Sequence, residues 1–312
     1  MQTNQLIIAK KRSAFQTARA KDAIFVALVL LLPVVNFFVF YVGVNFNSIA
    51  LAFQTYSKGK FVFAGFDNFE RVFANIFTDE GMKYRFLNSG KLYLFSLLIS
   101  FPTHIIVAYG VFKGVPGAGV FKVVLMLPQM IAGMVFVLIF TTIMEELVPI
   151  ALNDPELAML LRSDKSFWII VLFGYFVGFG GNLILYLGAM SSVSPDLIEY
   201  GHIEGCNSWQ EFKYIIFPGI WQTMKIFLIT GIAGFFTSQS SFFSFYGTSL
   251  ATDKQPLGYW MFVTIVKQAS EPQYPYVAAM GLVFTVFATT ITFVLKHFLD
   301  KYGPSEDDYG KK

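Results

Sequence analysis

Cysteine, histidine and charge are all scarce in this chain, and each scarcity closes off a class of function. The only cysteine among the 312 residues, Cys206, leaves no internal disulfide framework. The three histidines, His104, His202 and His297, are dispersed, and no Cys/His spacing resembles a zinc site. Charged residues make up only 14% of the chain, too few to cover the surface of a water-soluble domain of this size. The net charge of +3 is small and the basic residues form no long patch, so nucleic acid is not indicated as a partner. A phosphate-binding loop is missing as well. The nearest glycine-rich run, Gly114-Val-Pro-Gly117-Ala-Gly119-Val-Phe-Lys122, lacks the Gly-Lys-[Ser/Thr] ending and follows no strand.

What the chain has in quantity is apolar surface: 55% hydrophobic residues, 37 phenylalanines and a mean hydropathy of +0.58. Six stretches free of Asp, Glu, Lys and Arg are long enough for the roughly 20 residues a crossing helix needs. They imply an all-α polytopic membrane protein with transmembrane helices near 24–44, 92–112, 123–143, 167–190, 220–237 and 277–298. Helices are required because lipid cannot satisfy open backbone groups. Lys225 and Lys296 sit near span ends, where a lysine can snorkel. The first apolar stretch is too long for a cleaved signal peptide, and no small-residue cleavage site follows it.

Lys10, Lys11, Arg12, Arg19 and Lys21 precede the first span, and Lys58 is the first charge after it, which puts the N-terminus in the cytoplasm. Six spans then return the C-terminus to the same side. The chain divides into a basic N-terminus (1–22), a first helix with its outer loop (23–90), a five-helix core (91–299) and a cytoplasmic tail (300–312). The acidic loop 145–165 belongs outside. Segment 255–266 reads as a short helix lying on the outer surface or re-entering it. Loops 191–219 and 238–271 are long for connectors and are therefore candidates for function.

The first of these is the more explicit. Residues 194–218 read SPDLIEYGHIEGCNSWQEFKYIIFP. Ser194 can cap a helix that begins at Pro195, with Asp196 favourable beside the positive end of its dipole. Gly205 supplies a left-handed cap about three turns later. Ser208-Trp-Gln-Glu211 has the spacing of a capping box, and Pro218 limits the second helix. Two amphipathic helices lying on the membrane, with Phe212, Ile215 and Ile216 in lipid, would satisfy the same pattern.

The segment also resembles the EAA motif of permease subunits in binding-protein-dependent ABC importers: Glu-Ala-Ala, three residues, Gly, then a second helix ending in Ile-x-x-Pro. Glu199, Tyr200 and Gly201 take the Glu-Ala-Ala places, Glu204 the usual Asp, Gly205 the glycine and Cys206 the following alanine. Trp209, Gln210, Phe212, Ile215 and Pro218 complete a pattern like that of maltose-type carbohydrate permeases. Leu127-Pro128 near a span start and the Phe-x-Gly-x-Asp-Asn-Phe segment at 63–69 extend the likeness over nearly the whole chain.

That resemblance implies a type I (MetI-like) ABC importer permease fold in a bacterial cytoplasmic membrane. It implies a second homologous permease, two ATPase subunits that bind ATP and Mg, an extracytoplasmic solute-binding protein, and no cofactor in this chain. The solute would be an oligosaccharide or related glycan. Loop 194–218 would be the coupling helix seated in a groove of the ATPase, with Glu199 as its charged contact and Gly205 as the tight turn. Tyr200 and Gly201 depart from the usual Ala-Ala pair and call for a roomier or matched groove.

Polar residues within spans mark candidates for a solute path. Gly174, Gly178, Gly180 and Gly181 read as packing residues, with Gly174-x-x-x-Gly178 spaced for close helix contact. Asn182 and Tyr186, one turn apart, are path candidates. So are Ser238 and Gln239 within Thr237-Ser-Gln-Ser-Ser241, where maltose-type permeases hold sugar, although a polar helix end emerging into water accounts for that run equally well. His104 is expected to hydrogen-bond a neighbouring helix. No intramembrane carboxylate pairs with it, which argues against the alternative of an ion-coupled secondary transporter.

Overall fold

The computed structural model describes residue 21, residues 24–267 and residues 273–304. Most of the basic N-terminal segment, and the tail beyond residue 304, lie outside them. Among the described residues, six helices are long and apolar enough to cross a membrane. The first, α1 (Ile24–Ala52), leads into an antiparallel hairpin of β1 (Gln54–Ser57) and β2 (Lys60–Phe63). Lys58 and Gly59 both take left-handed backbone, φ 48° and 80°, as a two-residue turn of this twist requires. Helix α2 (Asp67–Thr78) follows, and its Asn68 is buried. The Asn68 amide donates to the carbonyls of Ala52, at 2.9 Å, and Gln54, at 2.6 Å. The Asp-Asn-Phe motif of the first loop therefore acts as a brace that fixes the hairpin to the end of α1.

The second crossing, α3 (Glu80–Phe112), starts well before its apolar part. Asp79 accepts from the Gly81 amide at the N-cap, and Arg85 pairs with Asp79 at 3.1 Å while lying over the Trp260 ring. The helix thus continues through charged turns that precede its apolar part.

The third crossing differs from its expected position. The apolar run 123–143 is broken: α4 (Ala118–Met130) ends at Ile131, Ile131 and Ala132 are extended, and α5 (Gly133–Leu152) is the crossing helix. Pro128 has no N–H to bond the carbonyl four residues back, which weakens the last turn of α4 before the break. Glu145 and Glu146, expected in a loop, are carried on the end of α5. Asp154 then caps a 3₁₀ turn over Pro155–Arg162.

The fourth crossing, α6 (Ser166–Ser191), is followed by α7 (Pro195–Ile203), α8 (residues 208–219) and the fifth crossing, α9 (Trp221–Thr237). Beyond it lie α10 (Phe242–Tyr246), α11 (Leu257–Lys267) and the sixth crossing, α12 (Tyr274–Tyr302). Helix α11 answers the expectation of a short helix near 255–266. It buries Leu257, Gly258 and Tyr259, and the Leu257 amide donates to Ser89 of α3 at 3.0 Å.

Three apolar clusters hold the bundle. One, near the hairpin end, joins Val72, Met82, Leu257 and Met280; a second centres on Ile170, Phe242 and Tyr259; the third, at the opposite end, joins Ile105, Met190, Ile216 and Met224. Helix α1 contributes almost nothing to them, since every described residue from 24 to 49 is exposed. Its exposed length, residues 24–49, is free for lipid or another chain, while Ala52 at its end is buried in the first cluster.

Candidate functional site

At the end opposite the hairpin, α7 and α8 form two short helices around a glycine elbow. Ser194 occupies the N-cap position but its side chain makes no capping bond, so Pro195 and Asp196 carry that helix start. Gly205, at φ 76°, closes α7. The Cys206 amide donates to the Gly201 carbonyl at 2.9 Å and the Gly205 amide to the His202 carbonyl at 3.1 Å. That pair of bonds is a Schellman motif, and it needs the left-handed residue that glycine provides.

The second helix starts one residue earlier than its spacing suggested. Asn207, not Ser208, is the cap: its side chain accepts from the Gln210 amide, and Gln210 accepts from the Asn207 amide, both at 2.9 Å. This register releases Glu211 from capping. Its carboxylate is 1% exposed and takes Lys113 Nζ at 2.8 Å and His202 Nε2 at 2.8 Å, with the Tyr109 hydroxyl at 3.3 Å. Burial alone would raise the Glu211 pKa, but hydrogen bonds from Lys113 and His202 outweigh it and hold the carboxyl below its ordinary value. The stability this adds is complete above the ordinary carboxylate range and is lost as pH falls through the depressed value. Removing one partner of a buried pair costs about 3–5 kcal/mol, and the half-open Lys113 and His202 place this one toward the low end.

Glu199, Tyr200, Glu204 and Trp209 are exposed, and Ile203 is 77% exposed beside them. Phe212 is partly buried, with Trp209 stacked on it at 5.8 Å and Tyr109 at 5.0 Å on another side. Ile216 is fully buried and Ile215 packs on the same cluster, so the apolar face of α8 is spent on the bundle and not on lipid. A Cβ at Gly201 would come within 2.6 Å of Ile215 Cδ1, so a larger residue where α7 meets α8 would require that side chain to turn aside. Pro218 lies in the last turn of α8, just before the Ile220 break that opens α9.

Midway along the bundle, a cavity of about 320 Å³ opens between α3, α6 and residues 238–241. Ser96, Ser100, Asn182, Ser238, Ser240 and Ser241 give it hydroxyl and amide groups, and among the described residues no carboxylate or cation lines it. His104 borders it, 4% exposed and packed on Phe179 at 4.4 Å. Its Nε2 has no hydrogen-bond partner among the described residues, so the helix-to-helix bond expected of it is not made there. The Gln239 Oε1 is likewise buried and unpartnered, although Gln239 is not among the residues lining the cavity.

Tyr186 does not reach the cavity. It is 2% exposed and sits between Phe101 and Phe227, deeper in the bundle. The glycines also divide differently from their spacing. Gly180 and Gly181 lie against α4, where a Cβ at Gly180 would strike the Leu125 carbonyl and one at Gly181 would come within 2.8 Å of Gln129. A Cβ at Gly178 would meet nothing within 4 Å, and both Gly178 and Gly174 border the cavity.

A bundle of crossing helices with a polar cavity at its centre and a capped two-helix loop at one end defines a membrane transport subunit. Residues 95–302 match the model of the family described as the binding-protein-dependent transport system inner membrane component, and the chain belongs to that family. The maltodextrin transport system permease protein MalC of Streptococcus pneumoniae is 25% identical over 202 residues, covering 58% of this chain and 46% of that protein. The maltose/maltodextrin transport system permease protein MalF of Vibrio cholerae is 27% identical over 199 residues, covering 57% of this chain and 35% of that protein. The match thus spans less than half the length of these curated relatives. The fold matches a chain of a bacterial ABC transporter involved in the import of the acidic polysaccharide alginate, with a TM-score of 0.72 and 20% identity over 92% of this chain and 99% of that one. A chain of a bacterial alginate ABC transporter in complex with an alginate pentasaccharide-bound periplasmic protein matches with a TM-score of 0.71 and 20% identity, over 91% of this chain and 96% of that one.

Proposed function

We propose that this chain is the permease of an ATP-driven importer for an oligosaccharide, and that loop 194–218 is where the driving force enters. The observation that carries the reading is the loop: two capped helices held rigidly around Gly205, with Glu199, Tyr200, Ile203 and Trp209 left uncovered on the outside. A surface with three large apolar groups beside the Glu199 and Glu204 carboxylates suits a protein groove better than water. Two ATPase subunits carrying ATP and Mg would supply that groove, and a second permease would complete the solute path. An extracytoplasmic binding protein would deliver solute at the hairpin end, with both termini of this chain in the cytoplasm. Residues 91–299 would form the transport core.

Within the chain, Asn182 and Ser238 are the solute-facing candidates, joined by Ser96, Ser100 and His104. Hydroxyls, amides and an imidazole suit the hydroxyl groups of a glycan. The relatives that transport maltodextrin support the same solute class. An ion-coupled carrier is less well supported, because it calls for ionisable groups at the site and the cavity lining includes no carboxylate.

The test is uptake of labelled oligosaccharide into cells or proteoliposomes. Glu199→Arg and Gly205→Val should each lower uptake about tenfold or more, with the chain still in the membrane. Normal uptake in both would refute the coupling role of the loop.

A further inference from the structure

The loop is joined by the backbone to two of the three elements that wall the cavity. Helix α6 enters it through residues 192–194, and α8 runs, with one break at Ile220, φ −95° and ψ 3°, into α9, which leads directly to the lining residues 238–241. Helix α3 supplies Ser96, Ser100 and His104 to the cavity but has no such connection to the loop. Its polar link is at its end: Lys113, just past Phe112, reaches both oxygens of Glu211 at 2.8 and 3.1 Å. Tyr109, one turn earlier, donates to the Ser208 carbonyl at 2.7 Å and to Glu211 at 3.3 Å. On the opposite side His202 fixes α7 to the same carboxylate at 2.8 Å.

We infer that Glu211 is a positioning residue that makes α3 move with the loop, so that motion applied at α7 and α8 reaches the cavity wall. The inference rests on the coupling reading above. Apolar contacts also join these elements, among them Tyr109 with Phe212 and Ala108 in the cluster around Ile216. Such contacts are non-directional and let one helix slide on another. A carboxylate held from three sides fixes direction and register. Without it, α3 would be tied to the moving elements by apolar packing, by the Tyr109 bond to Ser208 and by the Thr103 and Tyr175 hydroxyls, 2.7 Å apart between α3 and α6; its loop end would lag, and the cavity would open incompletely at each cycle. Neither Glu211 nor Lys113 lines the cavity or belongs to the exposed face of the loop.

The experiment reconstitutes the whole importer in proteoliposomes and measures solute uptake and ATP hydrolysis in the same preparation. Glu211→Gln and Lys113→Met should each lower uptake per ATP about fivefold or more while hydrolysis stays within about twofold. The double variant should be no worse than either single, and Lys113→Arg should keep the native ratio. The exchanged pair, Glu211→Lys with Lys113→Glu, should recover much of the ratio. If it does not assemble, the singles and the double decide.

An unchanged ratio in both singles, with uptake and hydrolysis falling together, would show a merely structural role and overturn the inference. Effects that multiply in the double variant would overturn it as well. Glu199→Arg serves as the control. Impaired uptake there beside a normal ratio in Glu211→Gln sinks this inference alone, whereas normal uptake in Glu199→Arg removes the reading beneath it.

Discussion

The loop end and the middle of the bundle handle buried polar groups in opposite ways. Glu211 is 1% exposed and meets a donor on each side. His104 is 4% exposed and its Nε2 meets none among the described residues. A satisfied network in a low-dielectric setting rigidifies and specifies one arrangement, whereas an unsatisfied buried atom carries a standing cost. The first pattern suits a part that must transmit force without changing shape. The second suits a wall waiting for hydroxyl groups to arrive. The same contrast runs through the glycines of α6: Gly180 is pressed on the α4 backbone, and Gly178, half a turn away, faces open space.

The glycine pair gives the largest expected effect. Gly180→Ala places a methyl group against the Leu125 carbonyl and the Met126 Cα, which are backbone atoms and cannot turn aside. Overpacking of this kind costs about 1–3 kcal/mol, and here the upper end is expected because the obstacle is backbone. Gly178→Ala should leave the fold unaffected. Thermal unfolding in detergent, with membrane abundance alongside, separates the two. Equal losses would mean that α4 does not press on α6 as observed.

His104→Leu sharpens the contrast from the other side. It keeps apolar volume against Phe179 and removes the unpartnered Nε2 together with the imidazole's bond to the Ser100 backbone, so stability should stay within about 1 kcal/mol of the parent. Uptake should nevertheless fall about tenfold if the imidazole meets the solute. A variant that is destabilised and transports normally would assign His104 to packing and take the cavity out of the path.

How much of this could be read in advance depended on how local the cause was. The six crossings follow from where charges are missing, a property of consecutive residues, and five of the expected helices overlap the observed ones closely. The third failed because 123–143 is apolar throughout. Nothing in hydropathy marks Ile131 and Ala132 as extended, and a proline in a last turn is compatible with either outcome. The Gly205 elbow was legible because a left-handed cap has few other occupants. Lys58-Gly59, between short runs that pair as strands, is a turn signal of the same local kind. Tyr186 shares a face with Asn182 by spacing, but depth along the bundle decides what each meets. The role of Glu211 was hidden for the same reason. Its partner Lys113 lies 98 residues earlier, and only the folded chain brings them together.

The smallest effect addresses the register that frees Glu211. Two overlapping capping boxes are written in the sequence, Asn207-x-x-Gln210 and Ser208-x-x-Glu211, and a glutamate engaged as the fourth residue of the second would be turned back toward its own backbone. The fold selects the first, with both of its bonds at 2.9 Å. Asn207→Ala should therefore cost about 1 kcal/mol, the usual value of a cap, while Ser208→Ala should change stability by only a few tenths. The measurement is a pair of unfolding curves at neutral pH, where the Glu211 carboxylate is charged. The reverse order would place the cap at Ser208 and draw Glu211 away from Lys113. Because the cap sets the first turn of α8, that outcome would remove the geometric basis for the link between the loop and α3.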